Sequence, residues 1–232
     1  MIKKFIKSYK YKKDLNYYSQ HATEECYDWD WSQTPYNRIA LVNHIIKLHR
    51  LENYLEVGCQ ENNLFHSVTA VRKTGVDPER GGTHRMTSDQ FFDQNNKKFD
   101  FIFIDGMHTY EQVHVDIENS IKVLNPGGWI AVHDLMPRNW IEAHVPNISR
   151  GAWSGDVWKV AFELLETVGI SFRIVMIDAG VGVFKVENPD STNLLDDSKV
   201  LHDSTFDYFC KNLERLPRVS WEEFVLWSAK SG

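Results

Sequence analysis

Cysteine is scarce in this chain. Cys26, Cys59 and Cys210 are odd in number, lie far apart and form no Cys-x-x-Cys pair among 232 residues. Neither a disulfide framework nor a structural zinc site is therefore indicated, and free thiols are expected. Also missing is any apolar run long enough for a signal-peptide core or a membrane span. The expected location is the cytoplasm. Nor is positive charge in excess: 26 Lys and Arg against 32 Asp and Glu leave a net charge of −6. That balance lacks the basic face of a non-specific nucleic-acid binder. The local exception is the start, where Lys3, Lys4, Lys7, Lys10, Lys12 and Lys13 interleave with Phe5, Tyr9 and Tyr11. It reads as a solvated, frayed terminus. Internal repeats and low-complexity tracts are absent too.

What is present is the composition of one ordinary globular α/β domain with additions, 42% hydrophobic and 25% charged. Thr34-Pro35 supplies a helix start, and Ile39, Val42, Ile45, Ile46 and His49 continue it at helical spacing. Tyr54 to Val57 is a first strand that breaks at Gly58, residues 62 to 70 are helical, and Thr74 to Asp77 ends a second strand. Phe101 to Ile104 is a continuous apolar run of the kind buried on both faces of a parallel sheet. Tyr110, Val113, Ile117, Ile121 and Leu124 then mark one helix face, Asn125-Pro-Gly-Gly128 a tight turn, and Trp129 to Asp134 the next strand. Residues 135 to 155 form a long irregular connection, as functional loops do, and Met136 to Ser154 is expected to be a mobile lid. Asp156 reads as the cap of a helix through Val157, Val160, Ala161, Leu164 and Val168. Phe172 to Ile177 and Val181 to Val186 make a hairpin across Asp178-Ala-Gly180. The tail is helical around Phe206 to Leu213 and Trp221 to Trp227. These units predict a doubly wound, mostly parallel, Rossmann-like sheet with a C-terminal antiparallel hairpin. Residues 1–50 form a basic segment and cap helix, 51–188 the core, and 189–232 a helical tail packed on it.

Two neighbouring parallel strands thus deliver Asp105, then His133 and Asp134, to one sheet edge. Ligands of open α/β sheets bind just outside the carboxyl ends of the strands. At the first strand-to-helix turn, Glu56-Val-Gly-Cys-Gln-Glu-Asn62 offers close backbone approach at Gly58 and amides that favour an anionic group. Asp77, 21 residues after Glu56, is placed to hydrogen-bond a ribose. A dinucleotide would require Gly-x-Gly-x-x-Gly, whereas this turn offers Gly58 alone.

From Tyr54 to about Val186 the chain resembles the seven-stranded, class I S-adenosylmethionine-dependent methyltransferases. The resemblance rests on Ile104-Asp-Gly-Met-His-Thr-Tyr110, Val132-His-Asp134 and Gly155-Asp-Val-Trp-Lys159, and is nearest to the small-molecule O-methyltransferase group. It implies that Glu56 and Gly58 hold the methionine part of S-adenosylmethionine, Asp77 the ribose, and Thr87-Ser88-Asp89 the adenine. The chain departs from the family at Gln60 and Asn62, where further glycines are usual; asparagine tolerates the left-handed backbone this turn needs.

Methyl transfer from a sulfonium requires the acceptor to be held in line and its proton managed. Asp105, His133 and Asp134 form a candidate site for Mg²⁺ or Mn²⁺, the imidazole favouring the transition metal. His108 and His133 are candidate bases with Asp105 beside them. Tyr110 reads as core, Trp153 and Trp158 as walls of an acceptor pocket, and His144 and Arg150 as contacts for an anionic acceptor. A small molecule or a glycan is the expected acceptor. Amino methylation of nucleic-acid bases would call for Asn/Asp-Pro-Pro-Tyr, where this chain has Asp105-Gly-Met-His108. The rival class is a non-catalytic binding or scaffold protein, which would be expected to lose the polar strand ends that are abundant here. Oligomeric state is open, a homo-oligomer included.

Overall fold

The computed structural model describes residues 2–230, with side chains from Lys10 onward. The chain opens with helices α1 (Ile2–Tyr17) and α2 (Arg38–His49). It continues through β1 (Asn53–Val57), α3 (Asn63–Ser67), β2 (Arg72–Val76), α4 (Ser88–Gln94), β3 (Phe99–Ile104), α5 (Tyr110–Lys122) and β4 (Leu124–Val132). Helix α6 (Val160–Glu166), β5 (Ile170–Val175), β6 (Val181–Val186), α7 (Ser198–Leu201), α8 (Phe206–Asn212), β7 (Arg218–Val219) and α9 (Trp221–Lys230) complete it. The basic start is therefore helical rather than frayed. Lys10, Lys12 and Lys13 are exposed, while the side chains of Lys3, Lys4, Phe5, Lys7 and Tyr9 lie outside those described.

The seven strands form one sheet in the order β2-β1-β3-β4-β6-β5-β7. Strands β1 to β4 pair in parallel, and β6 is antiparallel to both β4 and β5. It follows that β5 runs with β4, so residues 176–178 come out on the same edge as the ends of β1, β3 and β4. The seventh strand comes from the tail: β7 pairs in parallel with β5, so residues 189–232 are not helical throughout. At the opposite edge β2 meets only a single bridge, Val76 to His84.

The apolar runs bury both faces of this sheet. Leu55, Val57, Ile102, Ile104, Ile130 and Val132 pack on α5, α6 and α8, while Tyr54, Phe101, Phe103, Trp129 and Ala131 pack on α2, α3 and α9. Phe101 and Phe103 are fully buried, each contributing roughly 1.5–3 kcal/mol of transfer free energy. Asn125-Pro-Gly-Gly128 is built into β4 as an irregularity, the register jumping from Phe99↔Leu124 to Phe101↔Trp129.

Three local expectations are corrected. Helix α2 starts three residues late: Asn37, not Thr34, is the cap, its Oδ1 accepting from Ile39 N at 3.0 Å. Asp156 does not cap its own helix; its Oδ1 accepts from Tyr110 N at 2.7 Å, so it caps α5 from across the fold. Cys26 and Cys210 are joined by a disulfide with Cα atoms 5.4 Å apart, and Cys59 alone is a free, buried thiol. Spacing of 184 residues hid the pair. Among the described residues, no helix is long and apolar enough to cross a membrane.

Candidate active site

The turn after β1 is built by close backbone packing. Gly58 sits at φ +87°, and a Cβ there would lie 2.0 Å from the Asp105 carbonyl oxygen. Gly58 N donates to Val76 O and Asp105 N to Val57 O, both at 2.8 Å, which locks the ends of β1, β2 and β3 together. Gln60 and Asn62, in place of glycines, both adopt positive φ, 43° and 63°. The strain is offset in part because Asn62 Oδ1 accepts from Gly82 N at 2.6 Å. A cleft lined by Arg38, Glu56, Gly58, Gln60 and Asp105 opens here.

Glu56 is buried and accepts from the Tyr54 hydroxyl at 2.6 Å. Burial pushes its carboxyl up to about 7, against the opposing pull of Tyr54 and Arg38. Asp77 is held differently. Its Oδ1 accepts from Glu79 N and Arg80 N, and its Oδ2 from Gln60 N, each at 2.8 Å. These amides outweigh burial and keep the carboxyl below its ordinary range. Three amides on a carboxylate leave acceptor capacity on Oδ2. Ser88 and Asp89 open α4, where the Gln112 side chain reaches Ser88 Oγ at 3.3 Å and Asp89 Oδ1 at 3.0 Å. Gln112 also reaches Asp116 Oδ1 at 3.2 Å.

Asp105, His108, His133 and Asp134 converge at the ends of β3 and β4. Asp105 Oδ1 lies 3.4 Å from His108 Nε2 and 3.5 Å from His133 Nδ1. Asp134, at φ +64°, puts Oδ2 3.3 Å from His108 Nδ1 and Oδ1 3.2 Å from His133 Nδ1. The two aspartates are thus shared by both histidines. Asp105, His108 and Asp134 each offer a ligand atom within 4.8 Å of the others. His133 Nδ1 is buried facing both carboxylates, and His133 falls outside the group of converging ligand atoms. Burial would raise the Asp105 carboxyl, but His133, His108 and Arg38 outweigh it and hold it well below the usual range. Conversely, burial disfavours charge on His133 and His108, yet the facing carboxylates raise both imidazoles.

Sequence reasoning missed two members of this cluster. Arg38 Nη1, at the start of α2, lies 3.1 Å from His133 Nε2 and 2.8 Å from Asp178 Oδ2. Asp178, read as a hairpin turn residue, also accepts from Arg38 N at 3.3 Å. The signal for Asp178 was topological: once β6 intervenes between β4 and β5, the Asp178 corner must share their carboxyl edge. Arg38 carried no signal, because it joins the site only through the packing angle of α2.

The 136–154 loop closes over His108. Trp153 stacks on the His108 ring at 5.4 Å, and its carbonyl lies 2.8 Å from Nδ1. Gly155, at φ +61°, would drive a Cβ to 1.8 Å from the His108 carbonyl. The loop is anchored from within by Glu142, which is buried, pairs with Arg138 through its side chain and accepts from Ser154 N and Gly155 N at its backbone carbonyl. His144 is buried in it, against Tyr18 at 4.3 Å, and Arg150 lies 4.0 Å from the Tyr11 ring. Trp158 and Tyr110 are core, the latter donating to Glu163 Oε1 at 2.6 Å.

Similar proteins were found at the level of domain and fold. The cofactor-bound protein Rv0187 from MTB is 13% identical, with a TM-score of 0.50 over 77% of this chain and 90% of that one. An O-methyltransferase from Bacillus cereus, solved in complex with SAH, is 15% identical, with a TM-score of 0.47 over 76% of this chain and 90% of its own. No curated protein matches the chain. The profile of the methyltransferase domain family matches residues 15–135, just over half of the chain. The match spans the Gly58 turn, Asp77, Asp105, His108, His133 and Asp134, and the sheet around them is the class I Rossmann-like one: the chain belongs to the methyltransferase domain family.

Proposed function

We propose that the protein transfers the methyl group of S-adenosylmethionine to a hydroxyl of a small molecule or glycan. The observation that carries this reading is the convergence of two aspartates and two histidines at the ends of β3 and β4, directly beside the Gly58 turn. In that reading the cofactor lies on the β1–β2 side. The Gly58 turn admits the methionine part, Asp77 Oδ2 accepts from the ribose, and Ser88 and Asp89 border the adenine. The acceptor comes from the other side, beneath Trp153, where the loop excludes water from the reacting centre.

The donor set fits a divalent cation. Asp105 and Asp134 with His108 would hold Mg²⁺ or Mn²⁺, since these three side chains bring one ligand atom each within 4.8 Å of the others, and His133 would face the two aspartates from beside them. Bound there, the cation supplies a lowered pKa for the acceptor hydroxyl. A specific observation favours a metal-free second reading: Arg38 and His133 already balance the charge of Asp105 and Asp178. His108, its Nδ1–H donating to the Trp153 carbonyl, then takes the acceptor proton on Nε2, and Asp105 Oδ1 at 3.4 Å stabilises the imidazolium that forms.

The test is calorimetry with S-adenosylhomocysteine, followed by a screen of hydroxylated acceptors with Mg²⁺, with Mn²⁺ and with chelator. Absence of cofactor binding overturns the proposal. Turnover that survives chelation selects His108 as base over the cation.

A further inference from the structure

The segment from Ala22 to Asn37 joins α1 to α2 without regular secondary structure beyond one short turn at Trp31–Gln33. Its ends are pinned on either side of the reaction edge. At one end the Tyr27 hydroxyl donates to Met136 O at 2.7 Å and lies 3.1 Å from Pro137 O, the residues that directly follow Asp134 and Leu135. At the other, Tyr36 stacks on Trp221 of α9 at 4.2 Å, and Arg38 meets His133 and Asp178. Both anchors lie at the ends of β4 and β5, on the opposite side of Asp105 from Gly58 and Asp77. The segment is therefore a strap along the acceptor side of the site, with Trp29 40% exposed at its middle.

Between these anchors the strap is held by the partly buried side chains of Cys26, Tyr27 and Trp31 against the core. Among the described residues its backbone hydrogen bonds are local, Gln33 N to Asp30 O at 3.1 Å and Thr34 N to Trp31 O at 3.3 Å. The covalent tie is Cys26–Cys210, which fastens it to α8 immediately beside Tyr27. Phe209, the neighbour of Cys210, packs on both Tyr27 and Trp158, so the disulfide joins the strap to the rigid core. Both sulfur-bearing residues are partly exposed and open to thiol exchange.

We propose that the Cys26–Cys210 disulfide is a thiol-responsive staple that holds the strap over the acceptor side of the site. Attack by an external dithiol breaks the S–S bond. Two electrons and two protons pass to Cys26 and Cys210, and the dithiol leaves as its own disulfide. With the staple open, the strap keeps the Tyr27 hydrogen bonds and the packing of Tyr27 and Trp31 on the core at that end, without a covalent tie, and exchanges between closed and open positions. Acceptor binding weakens, while the cofactor side, tied by Gly58 and Asp77 to β1 and β2, is unaffected. Which side receives the acceptor rests on the functional reading above; the staple itself does not.

The experiment uses the full chain. A non-reducing peptide map first establishes the Cys26–Cys210 link. Hydrogen exchange is then followed with and without dithiothreitol, and in the Cys26→Ser/Cys210→Ser variant. We expect the hydrogen-bonded amides of Ser32, Gln33 and Thr34 to exchange at least tenfold faster in both cases, β3 and β4 to stay protected, and the affinity for S-adenosylhomocysteine to change less than twofold. Three results overturn the proposal: both cysteines alkylated as free thiols in the unreduced protein; unchanged exchange of 32–34 after two thiols have been titrated; or equal acceleration of the whole sheet, which makes the bond a global staple. If S-adenosylhomocysteine does not bind the untreated protein, the functional reading fails while the exchange result stands.

Discussion

Replacing Gly58 with alanine tests how the cofactor turn and the reaction edge are joined. At φ +87° an L-residue costs roughly 1–2 kcal/mol of backbone strain. The new Cβ would also sit 2.0 Å from Asp105 O and 2.5 Å from Asp105 C. These are backbone atoms that cannot rotate away, so the collision adds about 1–3 kcal/mol. The sum is a loss of roughly 2–5 kcal/mol, and any relief must come from pushing Asp105 out of line. Gly127→Ala is the control: its φ is +73°, but its Cβ would meet nothing nearer than Lys185 Cε at 3.8 Å. Urea unfolding followed by tryptophan fluorescence should rank Gly58→Ala well below Gly127→Ala, with weakened S-adenosylhomocysteine binding in the former alone. Equal midpoints for the two variants would refute the claim that the turn is clamped against Asp105.

Asp77→Ala should weaken S-adenosylhomocysteine binding by about 1–3 kcal/mol in calorimetry, the scale of a lost polar partner. Glu56 supplies a pH signature: folded, its carboxyl is raised from 4.5 to about 7, so the native state holds a proton that the unfolded chain has released. Stability should therefore fall as pH climbs from 4.5 through about 7, by at most ~3 kcal/mol, and Glu56→Gln should flatten that decline in urea titrations. Asp156→Ala should cost about 3–5 kcal/mol, more than a cap alone, because it also strips the buried Lys159 of the carboxylate 2.9 Å away, while Asp156→Asn, which keeps the cap acceptor, should lose about 1 kcal/mol less, as read in urea unfolding.

The parts of the fold legible in the sequence were those written in local periodicity. Phe101 to Ile104 and the stripe Tyr110, Val113, Ile117 and Ile121 made β3 and α5 legible, and the polar residues at the strand ends pointed to one edge of the site; Leu124, expected on that helix face, opens β4 instead. What could not be read was contact between distant segments. β7 is two residues long and acquires strand geometry only by pairing with β5. The Cys26–Cys210 bond and the Asp156 cap on α5 depend on tertiary approach rather than spacing. Arg38 and Asp178 belong to the same group, because the β4-β6-β5 order and the placement of α2 bring them to His133. Asp105, His108, His133 and Asp134 were legible as a group, but not the sharing of both aspartates by both histidines, which follows from the left-handed turn at Asp134.

In the proposed function, one edge of the sheet holds cofactor and cation side by side. Water-proton relaxation of bound Mn²⁺ measures that directly, titrated in the presence of S-adenosylhomocysteine with wild-type protein, Asp105→Asn and Asp77→Ala. Relaxation should be enhanced in the wild type, lost in Asp105→Asn, and retained in Asp77→Ala, whose cofactor affinity alone is reduced. Enhancement that persists in Asp105→Asn would place any cation elsewhere, and wild-type protein that binds neither S-adenosylhomocysteine nor Mn²⁺ would contradict the assignment as a whole.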